Sequence, residues 1–336
     1  MSALPITEDQ TRWIFRRAGT LALAGCEPVG PFVLPNARFF PDKFDRTPAS
    51  VGRLFDRMKE HVGLSDVPTN LTIIDPEEGR VVSSCSSGGC GTASVKTLSG
   101  ERVTEVGDGY VVQVATPEVA HSTALTTALS RALGQIFLRE ADILRAFSGR
   151  ERQLAGDLAA TMLGLGVLVA NGSGIAVKGC GGVKIHSATS FSAPEAVLAL
   201  AVAAGRQAER SPNAEEIALT SLDPVAASLY EAAAAIVRGN KSLVRMLDDG
   251  PATLEADNFV VRPPRSGSIA TRLLNVLGVG KREPVDPVEA LEQEVMKQLG
   301  DGPKSGGAAG RRTRTASEDA RREELRALVD ESFGSS

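Results

Sequence analysis

Leu129-Ser130-Arg131-Ala132-Leu133-Gly134-Gln135-Ile136-Phe137-Leu138 decides the fold. Apolar residues recur at Leu129, Leu133 and Ile136, the spacing of one face of an α-helix, and the pattern extends over Leu125–Glu140. A second helix, Glu151–Ala170, follows after a short connection and becomes almost wholly apolar from Met162 onward.

Working outward, Glu8 to Ala24 carries Trp13, Ile14, Ala18 and Leu21 at helical spacing and stops near Gly25. Phe32–Pro35 is a short extended piece, followed by an aromatic, proline-containing loop through Phe39-Phe40-Pro41-Asp42. Thr47 before Pro48 caps a helix Ala49–Val62 that buries Val51, Leu54, Phe55, Met58 and Val62. From Asn70 to Ala115 the period shortens to β-like runs, Leu71–Ile74, Val81–Ser84, Ala93–Thr97, Arg102–Val106 and Tyr110–Val114, separated by turn residues. These predict a small antiparallel sheet. Beyond the central pair, Pro194–Arg210, Asp223–Arg238, Lys241–Asp248 and Ile269–Leu277 are rich in alanine and leucine at helical spacing. The expected class is α+β, with helices dominating the second half.

A globular body is expected over residues 1–280, then a peripheral helix within 281–299 with Val288, Leu291, Val295 and Leu299 on one stripe. A Gly/Ala/Ser-rich linker over 300–316 leads to an amphipathic helix within 317–336. In the 336 residues, 42% apolar content suffices for a core, and 37 basic against 41 acidic residues leave a formal charge of -4. That balance provides no footprint for nucleic acid. No basic segment followed by an apolar stretch opens the chain, and apolar runs such as Met162–Ala170 are too short to span a bilayer, so a cytoplasmic protein without membrane insertion is expected. The four cysteines are then expected to be mostly reduced.

The Phe39-Phe40-Pro41-Asp42 loop, the Leu125–Leu138 helix and the run from Asp157 through Gly164-Leu165-Gly166 to Ala170-Asn171 together resemble an uncharacterised bacterial family whose typical members look like zinc peptidases. Those members carry an FFPD loop, an H-E-x-x-H helix, and a following helix with a glutamate shortly before an aspartate and a GLG run. The resemblance spans about residues 30–205 and implies a zincin-like body. Zinc requires neutral imidazoles one helical turn apart, and its chemistry a carboxylate that activates water. Carried over position by position, the histidines fall on Arg131 and Gln135, the catalytic glutamate on Ala132, and the later acidic ligand on Gln153. Only Asp157 survives, where it orients a ligand rather than binding metal. Lewis acid and general base are both lost, so the resemblance implies a pseudoenzyme with no cofactor, serving protein–protein interaction, scaffolding or regulation. The Arg131 guanidinium suits a pairing with Asp157 or Glu140; alternatively Arg131 and Gln135 lie on a solvated helix face.

Cys85 and Cys90 flank a Gly-Gly turn at a spacing that suits two thiolates on one ion, and Cys180 with His186 completes a Cys3His set. A reversible disulfide or inert thiols are the alternatives, and a cysteine-based metal or redox protein is the rival function. His61 ends a helix, where an imidazolium suits the dipole, and His121 precedes the central helix without a nucleophile elbow nearby. Gly164-Leu165-Gly166 and Asn171–Gly174 do not form a phosphate loop; glycine inside a helical run serves close packing. At the C-terminal end, the basic run Arg311–Arg314 precedes Thr315 and Ser317, candidate phosphorylation sites at a helix start. Leu325, Leu328, Val329 and Phe333 form an apolar stripe suited to a partner's groove, or to packing back on the body.

Overall fold

Thr7 and Thr47 open the first two helices as threonine caps should. The Thr7 hydroxyl accepts from the Gln10 N–H and Thr47 from the Ser50 N–H, starting α1 (Glu8–Leu23) and α2 (Pro48–Val62). The computed structural model describes residues 4–75, 98, 100–179, 182–208 and 210–262. They fall within one unit, Met1–Ser266; a second unit, Gly267–Ser336, lies outside them. Outside them too are Cys85, Cys90, Cys180, the 281–299, 300–316 and 317–336 segments, Thr315, Ser317 and the Leu325–Phe333 stripe.

The sheet is mixed rather than antiparallel. Strand β1 (Thr69–Ile74) runs parallel to β3 (Gly109–Ala115), and β2 (Val103–Val106) pairs antiparallel to β3, giving the order β1-β3-β2. A two-residue turn at Gly107-Asp108, with Gly107 at φ +60, joins β2 to β3 as a tight hairpin. That hairpin makes β3 central and leaves its other edge to β1, whose buried anchor is Lys59: the ammonium donates to the Val67 carbonyl and the Thr69 hydroxyl. Val112 and Val114 of β3 are fully buried.

The rest is helical. Short α3 (Thr116–Ala120) leads into α4 (Ser122–Glu140), and α5 (Arg150–Ala160) continues through a π turn, Thr161–Leu165, into α6 (Gly166–Gly172). A hairpin of β4 (Ile175–Gly179) and β5 (Gly182–His186) follows, then α7 (Ala193–Gln207), α8 (Ala214–Thr220), α9 (Pro224–Gly239), α10 (Lys241–Asp249) and α11 (Pro251–Glu255). The chain is thus α+β and mostly helical, with small sheets. The continuous Arg150–Gly172 helix is long and apolar enough to cross a membrane, unlike the shorter run expected from the sequence. Its apolar window is 89% buried inside the body, as in the core helix of a domain.

Inside that helix Gly164 adopts φ +100, a left-handed conformation that glycine tolerates, and the helix kinks there. The Gly164 carbonyl accepts from the Val33 N–H at 3.0 Å, so the extended Phe32–Pro35 piece docks on the kink. Gly134 of α4 meets Gly156 of α5 backbone to backbone. Further along, Thr127 donates to the Leu168 carbonyl and abuts Gly172, so α4 and the long helix run antiparallel in close contact.

Candidate functional site at the α4–α5 crossing

The close approach at Gly134 and Gly156 sets two α4 side chains, one turn apart, against α5. Arg131 and Gln135 are each only 3% exposed, so neither lies on a solvated face. The Arg131 guanidinium donates Nε to Asp157 Oδ1 at 2.6 Å, Nη1 to the Ala188 carbonyl at 3.0 Å, and Nη2 to Ser190 Oγ at 2.6 Å. The other Asp157 oxygen, Oδ2, accepts from the main-chain N–H groups of Ser190 (2.6 Å) and Phe191 (3.0 Å). Asp157 is fully buried, and a buried charge persists only when paired and hydrogen-bonded in this way. Glu140, the other partner considered for Arg131, accepts instead from the Tyr110 hydroxyl at 2.6 Å. Burial first, and that bond second, push the Tyr110 phenol up to about 12.

Gln135 is committed to a second buried network. Its Oε1 accepts from the Arg102 N–H, and the Arg102 guanidinium pairs two-fold with Glu118 at 3.2 and 3.1 Å, both side chains being fully enclosed. Glu118 also accepts from the main-chain N–H groups of Leu98 and Ala115. The sequence placed Arg102 at the start of a strand run and did not single out Glu118, which nothing in the local pattern marks. Gln153 completes the arrangement: Ser190 Oγ donates to its Oε1 at 3.3 Å, so one serine hydroxyl touches both Arg131 and Gln153.

The positions compared with metal ligands therefore come together. Arg131 and Gln153, with Arg150 and Ser190, line a cavity of about 270 Å³, and Gln135 and Gln153 share a smaller one of about 130 Å³. Ala132, at the catalytic-glutamate position, is fully buried. The donor set does not fit zinc. Arginine offers N–H donors and no lone pair, and the glutamines are neutral amides in place of imidazole and carboxylate. Among the described residues no three His, Cys, Asp or Glu side chains converge.

The histidines sit apart from this crossing. His61, in the last turn of α2, donates from Nε2 to the Phe39 carbonyl, its ring edge-on to Phe39 and Phe40. His121 caps α4, Nδ1 accepting from the Ala124 N–H. His186 lies on β5 opposite Ile175, and its Nε2 is buried without a hydrogen-bond partner among the described residues. Cys26 is buried at a carbonyl, and burial drives its thiol far above the ordinary range, which makes it inert. No family model, curated protein or solved structure matches the chain.

Proposed function

We propose that the chain is a non-catalytic, peptidase-like protein: a zincin-like body whose metal site has become a structural arginine–carboxylate crossing, kept for binding protein partners in assembly or regulation. The observation that carries this reading is the Arg131–Asp157 pair. Arg131 places a permanent cation at a position compared with a zinc ligand, and three of its N–H groups are already bonded to one carboxylate, one carbonyl and one hydroxyl. Asp157 keeps the orienting role that a carboxylate has beside a metal ligand, but here it orients a guanidinium. A bacterial cytoplasmic setting without nucleic-acid binding or membrane insertion belongs to the same reading.

The test has three arms. Protein purified without a histidine tag is expected to hold far less than one zinc per chain and to leave peptides uncut; stoichiometric zinc with cleavage overturns the non-catalytic reading. The combined change Arg131→His, Gln135→His and Gln153→Glu is expected to create zinc binding by elemental mass spectrometry. A folded variant that binds none overturns the zincin-like reading. Partner capture with and without residues 300–336 tests the interaction role: loss of the partner at unchanged thermal stability is expected.

A further inference from the structure

The FFPD loop has no part in the α4–α5 crossing, yet it walls a cleft of about 500 Å³ at the other end of α4. Leu125 lies in that cleft, six residues from Arg131, or about 9 Å along the helix. Phe40 and Phe44 of the loop, Leu54 of α2, Leu125 of α4 and Leu168 of α6 give it an apolar body of the size that holds small organic ligands. Asn36, Ser122 and Thr123 add neutral polar groups at its edge.

Asp223 is the one carboxylate among the described residues lining the cleft, and no lysine or arginine lines it. It stands at the N-cap of α9 but makes no side-chain cap bond. Its main-chain N–H donates to Asn171 Oδ1 at 2.8 Å, while its carboxylate has no hydrogen-bond partner among the described residues. Burial raises the Asp223 carboxyl above its ordinary range, and the nearby His121 imidazole offsets this in part. Half-buried at an apolar cleft and with no side-chain donor on it among the described residues, this carboxylate is free to accept a hydrogen bond from a cation seated in the cleft.

We propose that this cleft binds a small organic cation, a protonated amine carried on an apolar or aromatic body, with the ammonium on Asp223 and the body against Phe40, Phe44 and Leu54. The charge and the shape of the cleft each select one half of such a ligand. A neutral molecule of the same shape gains only the apolar half, and an anion meets Asp223 unfavourably.

The experiment uses the full chain with three matched probes, phenethylamine, 2-phenylethanol and phenylacetate, followed by saturation-transfer NMR and calorimetry. The amine is expected to bind at least about tenfold more tightly than the alcohol, the value of one charge-assisted hydrogen bond, and the carboxylate least. Asp223→Asn is expected to erase the amine's advantage while leaving the alcohol's affinity in place. Ala37→Trp, at an exposed loop position that lines the cleft, is expected to abolish binding of every probe with the thermal transition unchanged. An amine that binds no better than the alcohol, an advantage that survives in Asp223→Asn, or the absence of binding by any probe overturns the proposal. A dimer that Ala37→Trp dissociates, with no probe bound, puts a second copy in the cleft and also overturns it.

Discussion

Asp157→Leu removes the carboxylate that holds Arg131 and two main-chain N–H groups. The structure fixes what then loses its partner: a buried guanidinium Nε and the Ser190 and Phe191 N–H groups, buried or partly buried. Breaking a buried pair from one side costs about 3–5 kcal/mol, because the surviving charge keeps its desolvation penalty without its partner. For a body of this size that corresponds to a fall of roughly 6–20 °C in Tm. Arg131→Met should cost less, since Asp157 retains two N–H donors. The double change Arg131→Met with Asp157→Leu should cost clearly less than the two singles added together, because no charge is left alone. The chain carries its own reporter: its one tryptophan, Trp13, packs edge-on against Phe191 at 6.2 Å, so urea unfolding followed by tryptophan fluorescence reads the site directly. Single changes costing under about 1 kcal/mol, as for a solvated pair, would refute the reasoning. So would additivity in the double variant to within about 0.5 kcal/mol.

Gly134→Ala tests the helix crossing itself. The new Cβ would stand 2.0 Å from the Gly156 carbonyl oxygen and 2.8 Å from the Ala160 nitrogen, backbone atoms that cannot rotate away. A loss of about 3 kcal/mol or more is expected in chemical denaturation, beyond ordinary overpacking. Gly52→Ala, inside α2 with open space around its Cβ, should instead stabilise by about 0.5–1 kcal/mol, and equal effects at both sites would contradict the crossing. Ultraviolet titration should find Tyr110 ionising near 12, and Glu140→Gln should bring that value down without returning it to the ordinary one, since burial is the larger cause. The folded value is raised, so the contribution of Tyr110 to stability is complete below pH about 10 and is lost as pH rises through about 12. Tyr110→Phe should flatten the stability profile across that window.

The helices were legible wherever one face alternates with a polar one. α2 begins at Thr47-Pro48 and ends at Val62 as its caps and spacing predict, and the β2–β3 runs fall within a residue of their expected ends. The sheet topology was not, because the apolar runs are the same for parallel and antiparallel pairing, and only the tight Gly107 hairpin decides which edge β1 meets. Gly164 reads as one more small residue in a helical run, and nothing in a linear string shows that its φ is reversed. The β4–β5 hairpin hides in a glycine-rich stretch whose pairing is set by main-chain groups. For the site, the partners of Arg131 were only half legible. Asp157 was among them, whereas the Ala188 carbonyl and the Ser190 and Phe191 N–H groups are backbone atoms that no residue type announces.

Those backbone partners let Arg131 act as a cross-link between neighbouring elements, the part that a structural ion plays in other proteins. A bound ion ties together the elements that supply its ligands and adds its binding energy to folding. Arg131 ties α4, α5 and the loop from Ala188 to Phe191 through Asp157 and main-chain groups. A buried pair of this sort fixes register at little net gain in stability. Stability must come from packing, and from Ala124 to Ile136 only Thr126 escapes full burial, while all of Ala155–Gly172 is enclosed. The two glycines at the crossing then have a shared purpose with the arginine: they bring the backbones close enough for the guanidinium to reach both the carboxylate of α5 and the loop beyond it. Under the proposed function, an arginine in this place is therefore incompatible with the metal but compatible with the fold, provided that the Gly134–Gly156 contact and Asp157 are retained together.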